Sequence, residues 1–148
     1  MEILLINKDD KEYMEQIIAI ETEVFGKNGA IDKWNLKPIV KYGRVYGLID
    51  NKELLACVEL IRAWDTEIIY LYGLAVKQTE FGKGLGSKLL GGVLEMISKE
   101  KISKVQLTVA SDNIKARKLY EKFGFEKIDF LENEYGSGVH REVYEKIF

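Results

Sequence analysis

Between Val76 and Leu90 the chain reads VKQTEFGKGLGSKLL, and this stretch limits the fold more than any other. A hydrophobic run ends at Val76, glycines follow at positions 82, 84 and 86, and an apolar stripe of helical period begins at Leu85. A strand that turns through glycine straight into a helix leaves bare backbone at the turn. The free N–H groups of the first helical turn, with the positive end of the helix dipole, then face open space. Such a turn is an anion cradle, and the pyrophosphate of a cofactor is its expected occupant. Spacing removes two cofactor classes. A P-loop needs Gly-Lys-Ser/Thr after four intervening residues, but Gly82 is followed at that distance by Ser87-Lys88-Leu89. A dinucleotide fingerprint needs its third glycine where Ser87 stands, and a first-strand βαβ setting that a turn so deep in the chain lacks.

The rest of the chain reads as one continuous domain over residues 1–148, without repeats, low-complexity tracts or a proline-rich linker. Its 47% hydrophobic content suffices for one good core. A first strand is expected at Ile3–Ile6. Met14, Ile17, Ile18, Val24 and Phe25 then fall near one helical face, a loop follows at Gly26–Gly29, and a short helix is expected at Asp32–Lys41. Arg44–Ile49 and Leu54–Ile61 flank the polar turn Asp50-Asn51-Lys52 and read as an antiparallel hairpin. Glu67–Val76 reads as a central strand, and its consecutive apolar residues Ile68–Leu71 predict burial on both faces. Leu85, Leu89, Val93, Met96 and Ile97 form a helical stripe, Val105, Leu107 and Val109 alternate as a strand, and Ala116, Leu119, Tyr120 and Phe123 form another stripe. Strands at Lys127–Leu131 and His140–Ile147 complete the order. The irregular alternation predicts an α/β (α+β) fold with a mixed sheet of about six to seven strands and about four helices.

The segment LTVASDNIKARKLYEKFGF, Leu107–Phe125, decides between the cofactors that remain. Leu74-Ala75-Val76 with the FGKGLGSKLL turn, followed by Asn113, Ala116, Leu119-Tyr120 and Gly124-Phe125, resembles the two core motifs of the GCN5-related N-acetyltransferases. The resemblance implies a strongly twisted mixed sheet whose central strands splay around the pantetheine arm of acetyl-CoA, the acetyl donor. It assigns the pyrophosphate to the backbone of Gly82, Lys83, Gly84, Leu85, Gly86 and Ser87. Leu74, Ala75 and Val76 become cofactor contacts, Asn113 a hydrogen-bond partner of the pantetheine, and Tyr120 the general acid for the departing thiolate. A phenol with a pKa of about 10 can donate to that thiolate at neutral pH without being ionised itself. Gly73, inside a bulky strand, suggests a bulge or a close backbone approach. Asn113, Ala116 and Tyr120 share a helix face, with Asp112 or Ser111 placed to cap the helix. One departure is Phe81, where the family usually carries Gln or Arg.

Transfer to an amine also requires removing a proton from an ammonium, at roughly 4–5 kcal/mol for a lysine-like group at pH 7. The family's usual glutamate positions read as Tyr70 and Thr108 here. Glu67, Glu59, Glu134 and His140 are the alternative bases, with Tyr70 or Tyr72 linked to them by water. Trp34, Tyr70, Tyr72, Glu134 and Tyr135 are the expected acceptor contacts, an aromatic face and carboxylates suiting a cation. Lys115, Arg117, Lys118 and Lys122 read mainly as a solvated face, within reach of a 3′-phosphate. The expected reaction is direct N-acetylation of a primary amine on a small molecule. A peptide N-terminal or lysine acceptor, and a non-catalytic acyl-CoA-binding module, are the alternatives. A net charge of −2 argues against nucleic acid as a partner, and neither a membrane span nor a metal site is expected. The single Cys57 reads as a buried thiol, with no motif for an acyl-enzyme. The short, soon acidic start MEILLINKDD does not read as a signal peptide, so a cytoplasmic protein is expected. The oligomeric state, including a homodimer, stays open.

Overall fold

The computed structural model describes residues 1–148. The eleven expected strands and helices are built in the expected order, with one short 3₁₀ turn added. They are β1 (Glu2–Ile6), α1 (Lys11–Phe25), α2 (Lys33–Tyr42), β2 (Arg44–Asp50), β3 (Glu53–Arg62), β4 (Ile68–Val76), a short 3₁₀ turn (Gln78–Glu80), α3 (Leu85–Ser98), β5 (Lys104–Ala110), α4 (Ile114–Lys122), β6 (Glu126–Leu131) and β7 (Arg141–Ile147). The seven strands form one mixed sheet in the order β1-β2-β3-β4-β5-β7-β6. All neighbours are antiparallel except β4 and β5, which run parallel.

The sheet separates two hydrophobic cores. One joins α3 and α4 to the sheet through Leu89, Leu90, Val93, Val105, Leu107 and Tyr120; the other joins α1 and α2 to it through Ile17, Ile20, Leu36, Val45, Leu54 and Cys57. Burying a Val, Leu, Ile or Phe side chain contributes roughly 1.5–3 kcal/mol, so these two layers hold the sheet from either side. Asp32 starts α2 by accepting from the N–H groups of Trp34 and Asn35, while the Asn35 side chain accepts from the Asp32 N–H to complete a capping box. Pro38 lies within α2 without ending it. Met96, expected in the α3 stripe, is 36% exposed, while Leu90 and Leu94 are buried instead.

The central strand departs from expectation in a way that creates the site. β4 is indeed the fourth of seven strands, but of the run Ile68–Leu71 only Ile69 and Leu71 are buried, whereas Tyr70 is half-buried and Tyr72 beyond it exposed. The far face of β4 opens on a cleft. Pairing between β4 and β5 is confined to Ile68, Ile69 and Tyr70 opposite Lys104, Val105 and Gln106. Beyond Tyr70 the two strands part. No helix of the chain is long and apolar enough to cross a membrane.

Candidate functional site

Two cavities meet where β4 and β5 diverge. One, of about 460 Å³, is lined by Leu74, Ala75 and Val76 from β4, by Gly82, Gly84, Leu85, Gly86 and Ser87 from the turn into α3, and by one face of α4. The other, of about 520 Å³, is lined by Tyr70, Tyr72 and Gly73 from β4, by Thr108 from β5, and by Glu21, Tyr135 and Arg141. Phe25, Leu74, Asn113, Ala116 and Tyr120 border both, so the two are halves of one cleft. A further cavity of about 440 Å³, around Pro38, Tyr42 and Trp64, shares no residue with them.

The glycine turn has the local form that its sequence requires. Gly82 and Gly84 have φ of 80° and 74°, in the left-handed region where a Cβ is costly. Gly84 is the N-cap of α3 and brings no side chain to its first-turn N–H groups. By contrast, Asp32 and Asn113 cap α2 and α4 with side-chain oxygens. The N–H groups of Leu85, Gly86 and Ser87 are therefore available to an anion. Above Gly82 and Gly84 there is open space: a Cβ at either position would meet no heavy atom within 4 Å. This cradle fits a pyrophosphate. Lys83 does not add to it: the side chain is exposed, pairs with Glu80 at 2.6 Å and lies outside the lining. The positive charge comes from α4, where Lys115, Lys118 and Lys122 border the cavity. Lys122 donates to the Ser87 hydroxyl at 3.2 Å, and Lys115 lies 4.6 Å from the centroid of the Phe81 ring. Arg117 instead turns away to Glu142 at 3.2 Å and Tyr144 at 3.1 Å.

The bulge suggested by Gly73 lies in β4. Glu59 pairs with Gly73 and Leu60 with Leu71, leaving Tyr72 as the extra residue. Beyond it, Leu74, Ala75 and Val76 pair with β3 but not with β5. Their edge is exposed to the cleft, as an extended pantetheine arm needs. Across the cleft, Asn113 itself caps α4, its Oδ1 accepting from the Ala116 N–H at 3.2 Å, so neither Asp112 nor Ser111 fills that role. The amide nitrogen of Asn113 is left for a ligand. Tyr120, 7% exposed, packs edge-on against Phe125 with ring centroids 5.6 Å apart. Burial pushes its phenol pKa well up, so the group stays protonated near neutrality and has a proton to donate.

The acceptor half revises several expectations. Trp34 is 79% exposed on α2 beside Lys33, and Glu134 is exposed in the β6–β7 turn; neither lines the cleft. Tyr70, Tyr72 and Tyr135 do line it. The Tyr70 hydroxyl lies 3.3 Å from the Thr108 hydroxyl, and burial raises the pKa of both Tyr70 and Tyr72, so both phenols stay protonated near neutrality and no phenolate is present to act as a base. His140 accepts from the Asn133 N–H at 3.0 Å through Nδ1 and stacks near Phe130, which pins the late turn. Glu67 precedes β4, at the end away from the splay. Two further residues belong to this half and carry no motif. Arg141 donates to the Thr108 hydroxyl and carbonyl at 3.2 and 2.9 Å and lies 5.8 Å from the centroid of the Tyr135 ring, adding a positive charge to the cleft. Glu21 lines the same cleft although it stands on the apolar stripe of α1, seven residues after Met14 and four after Ile17. An acid at that register is the signal the sequence offers. Val24 and Phe25, on the same apolar face of α1, reach the cleft as wall, and Val24 also packs against the core between α1, α2 and the sheet.

The model of the acetyltransferase (GNAT) family matches residues 12–125, more than half of the chain. The chain belongs to the GNAT family. Among curated relatives it is 35% identical over 88 residues to the [ribosomal protein bS18]-alanine N-acetyltransferase of Haemophilus influenzae, covering 60% of this chain and 58% of that protein. It is 30% identical over 78 residues to an aminoglycoside N(6′)-acetyltransferase type 1 of Klebsiella pneumoniae, covering 49% of this chain and 39% of the relative. The chain thus spans less than two thirds of either relative. Among solved structures, Arabidopsis thaliana Naa50 in complex with the bisubstrate analogue CoA-Ac-MVNAL superposes with a TM-score of 0.81 at 26% identity, covering all of both chains. As a GNAT protein the chain has the expected mixed sheet, with its own residues at the acceptor end.

Proposed function

We propose that this GNAT protein transfers the acetyl group of acetyl-CoA directly to a primary amine. One observation carries the reading: the uncapped turn Gly84–Ser87 and the buried phenol of Tyr120 stand on the walls of one cleft, at the point where β4 and β5 separate. Leu74, Ala75 and Val76 offer the free strand edge, Gly82–Ser87 the anion cradle, Asn113 an amide donor, and Lys115, Lys118 and Lys122 charge for the phosphates. When bound, acetyl-CoA supplies the activated thioester. Tyr120 then holds the proton that the leaving sulfur needs.

A small-molecule amine is the first reading of the acceptor, and a peptide α-amine the second. The aromatic lining of Tyr70, Tyr72 and Tyr135 with the positive Arg141 suits a singly charged amine better than a polycation, which complementary acidic walls would favour. The α-amine reading also draws on the similarity to the bS18-alanine acetyltransferase. Release of the CoA thiol, measured across amino acids, polyamines, aminoglycosides and short peptides, tests both. Turnover of single-amine acceptors above polyamines and aminoglycosides is expected. Acetyl-CoA binding without thiol release from any amine would reduce the protein to a binding module.

A further inference from the structure

Two carboxylic acids lie beneath the bulge in β4. Glu21 on α1 and Glu59 on β3 are 1% and 0% exposed. A Cβ added at Gly73 would stand 2.7 Å from Glu59 Oε2 and 3.3 Å from Glu21 Oε1, so both side chains reach the underside of the same residue. Glu21 Oε1 and both oxygens of Glu59 are buried with no hydrogen-bond donor in the protein. Such a placement costs several kcal/mol per ionised group unless something compensates it. Two neighbouring carboxyls with three oxygens lacking donors are compensated most simply by sharing a proton, which leaves the pair with one charge. Glu21 also lines the acceptor half of the cleft, which Tyr120 borders too.

We propose that Glu21, positioned by Glu59, takes the proton from the acceptor's ammonium group. The inference rests on the amine-acetylation reading above. Glu21 accepts one proton as an N–H bond of the ammonium breaks, directly or through one water, and the freed lone pair attacks the thioester carbon. As the C–S bond breaks, Tyr120 gives its proton to the sulfur and regains one from the nitrogen. Glu21 returns its proton to solvent, so each turnover releases one proton. Burial raises the carboxyl pKa of Glu59, and the neighbouring charge of Glu21 raises it further; burial also raises that of Glu21. A base so raised is better matched to an amine than an ordinary carboxylate. The other titratable groups facing the pair are Cys57 on β3, Tyr70 and Tyr72 on β4, Tyr120 on α4, Tyr135 in the β6–β7 turn and Arg141 on β7. The phenols of Tyr70, Tyr72 and Tyr120 and the Cys57 thiol have raised pKa values and stay neutral, which leaves the carboxyls as the bases beneath the bulge.

The test compares wild type with Glu21→Gln and Glu59→Gln, using acetyl-CoA and three amines. An alanine-initiated peptide and kanamycin are largely protonated at neutral pH, whereas hydroxylamine is already neutral. Glu21→Gln is expected to lower kcat/KM about 10²-fold or more for the protonated amines and far less for hydroxylamine, with acetyl-CoA affinity by calorimetry unchanged. Glu59→Gln is expected to move the acid limb of the pH profile to lower pH, because Glu21 then ionises without a neighbouring negative charge. A readout without turnover accompanies these. Carboxyls with pKa values raised by folding stabilise the fold fully below their unfolded pKa and lose that contribution as pH rises through the folded value. The Tm of wild type is therefore expected to fall relative to Glu59→Gln as pH rises above the ordinary carboxylate range. Equal losses for all three amines, unchanged kcat/KM in Glu21→Gln, parallel Tm curves, or stoichiometric metal on Glu21, Cys57 and Glu59 in the purified protein would each overturn the proposal. If wild type acetylates none of the amines although acetyl-CoA binds, the transfer reading itself fails, and this inference falls with it.

Discussion

At the scale of single residues, burial fixes what each polar group in the cleft can do. The Tyr120 ring is enclosed by the core and its phenol pKa is pushed up, so it does not ionise across the working range. Tyr120→Phe keeps the packing and removes only the donor. It is expected to lower kcat by roughly 10²–10⁴ on an acceptor whose chemical step limits the rate, with the acetyl-CoA Kd unchanged. Steady-state kinetics beside calorimetry checks this, and full kcat in the variant removes the role. Gly73 sets a second limit. The side on which its Cβ would stand is closed by two carboxyls that cannot swing into solvent, so Gly73→Ala forces a contact of 2.7 Å with Glu59. The substitution is expected to cost about 1–3 kcal/mol, read as a lower midpoint in urea at unchanged slope.

At the scale of elements, the start of α3 and the exposed face of α4 form the two sides of the cradle. Gly84→Val asks a β-branched residue to adopt a φ of 74°, a strain of about 1–2 kcal/mol, and places a side chain in the open space above the turn. Acetyl-CoA binding is expected to be lost in calorimetry; normal affinity would disprove the cradle. Replacing Lys115, Lys118 and Lys122 together by Ala is expected to weaken CoA by about tenfold at low salt, since exposed charge contacts contribute roughly 0.2–1 kcal/mol each. The loss should shrink at high salt and for CoA lacking its 3′-phosphate. Helix and strand positions are largely legible in the sequence because periods of 3.6 and 2 mark a buried face wherever one exists. The period does not say what the face is buried against. Val24 and Phe25 therefore share the apolar face of α1 with true core residues although both reach the cleft, and the acid at Glu21 is hidden within the same stripe. Asn113 reads as a ligand contact, but its second role as the α4 cap is not separable from sequence, since Ser111, Asp112 and Asn113 are all good caps.

At the scale of the whole molecule, the sheet is two sub-sheets joined at one end. β1 to β4 form one and β5, β7 and β6 the other, and only three residue pairs connect them. The irregular order of elements makes a mixed sheet legible from sequence. The splay is not legible from residue pattern, because it arises from register between strands far apart in the chain; only the family resemblance supplies it. Its consequence is thermodynamic. A ligand lying along the free edge of β4 and against α3 and α4 adds contacts across the seam where the protein has fewest of its own. Such binding stabilises the folded state by mass action, by about 2.7 kcal/mol at a ligand concentration of 100 Kd. For a chain of 148 residues this corresponds to a rise in Tm of roughly 5–10 °C. Differential scanning fluorimetry with acetyl-CoA should show that rise in wild type and in Tyr120→Phe, and none in Gly84→Val. Hydrogen exchange should localise it, with amides of β4 beyond the bulge protected on binding while those shared by β2 and β3 change little. A Tm rise of equal size in Gly84→Val would mean that acetyl-CoA binds elsewhere, and the cleft at the β4–β5 seam would lose its assignment.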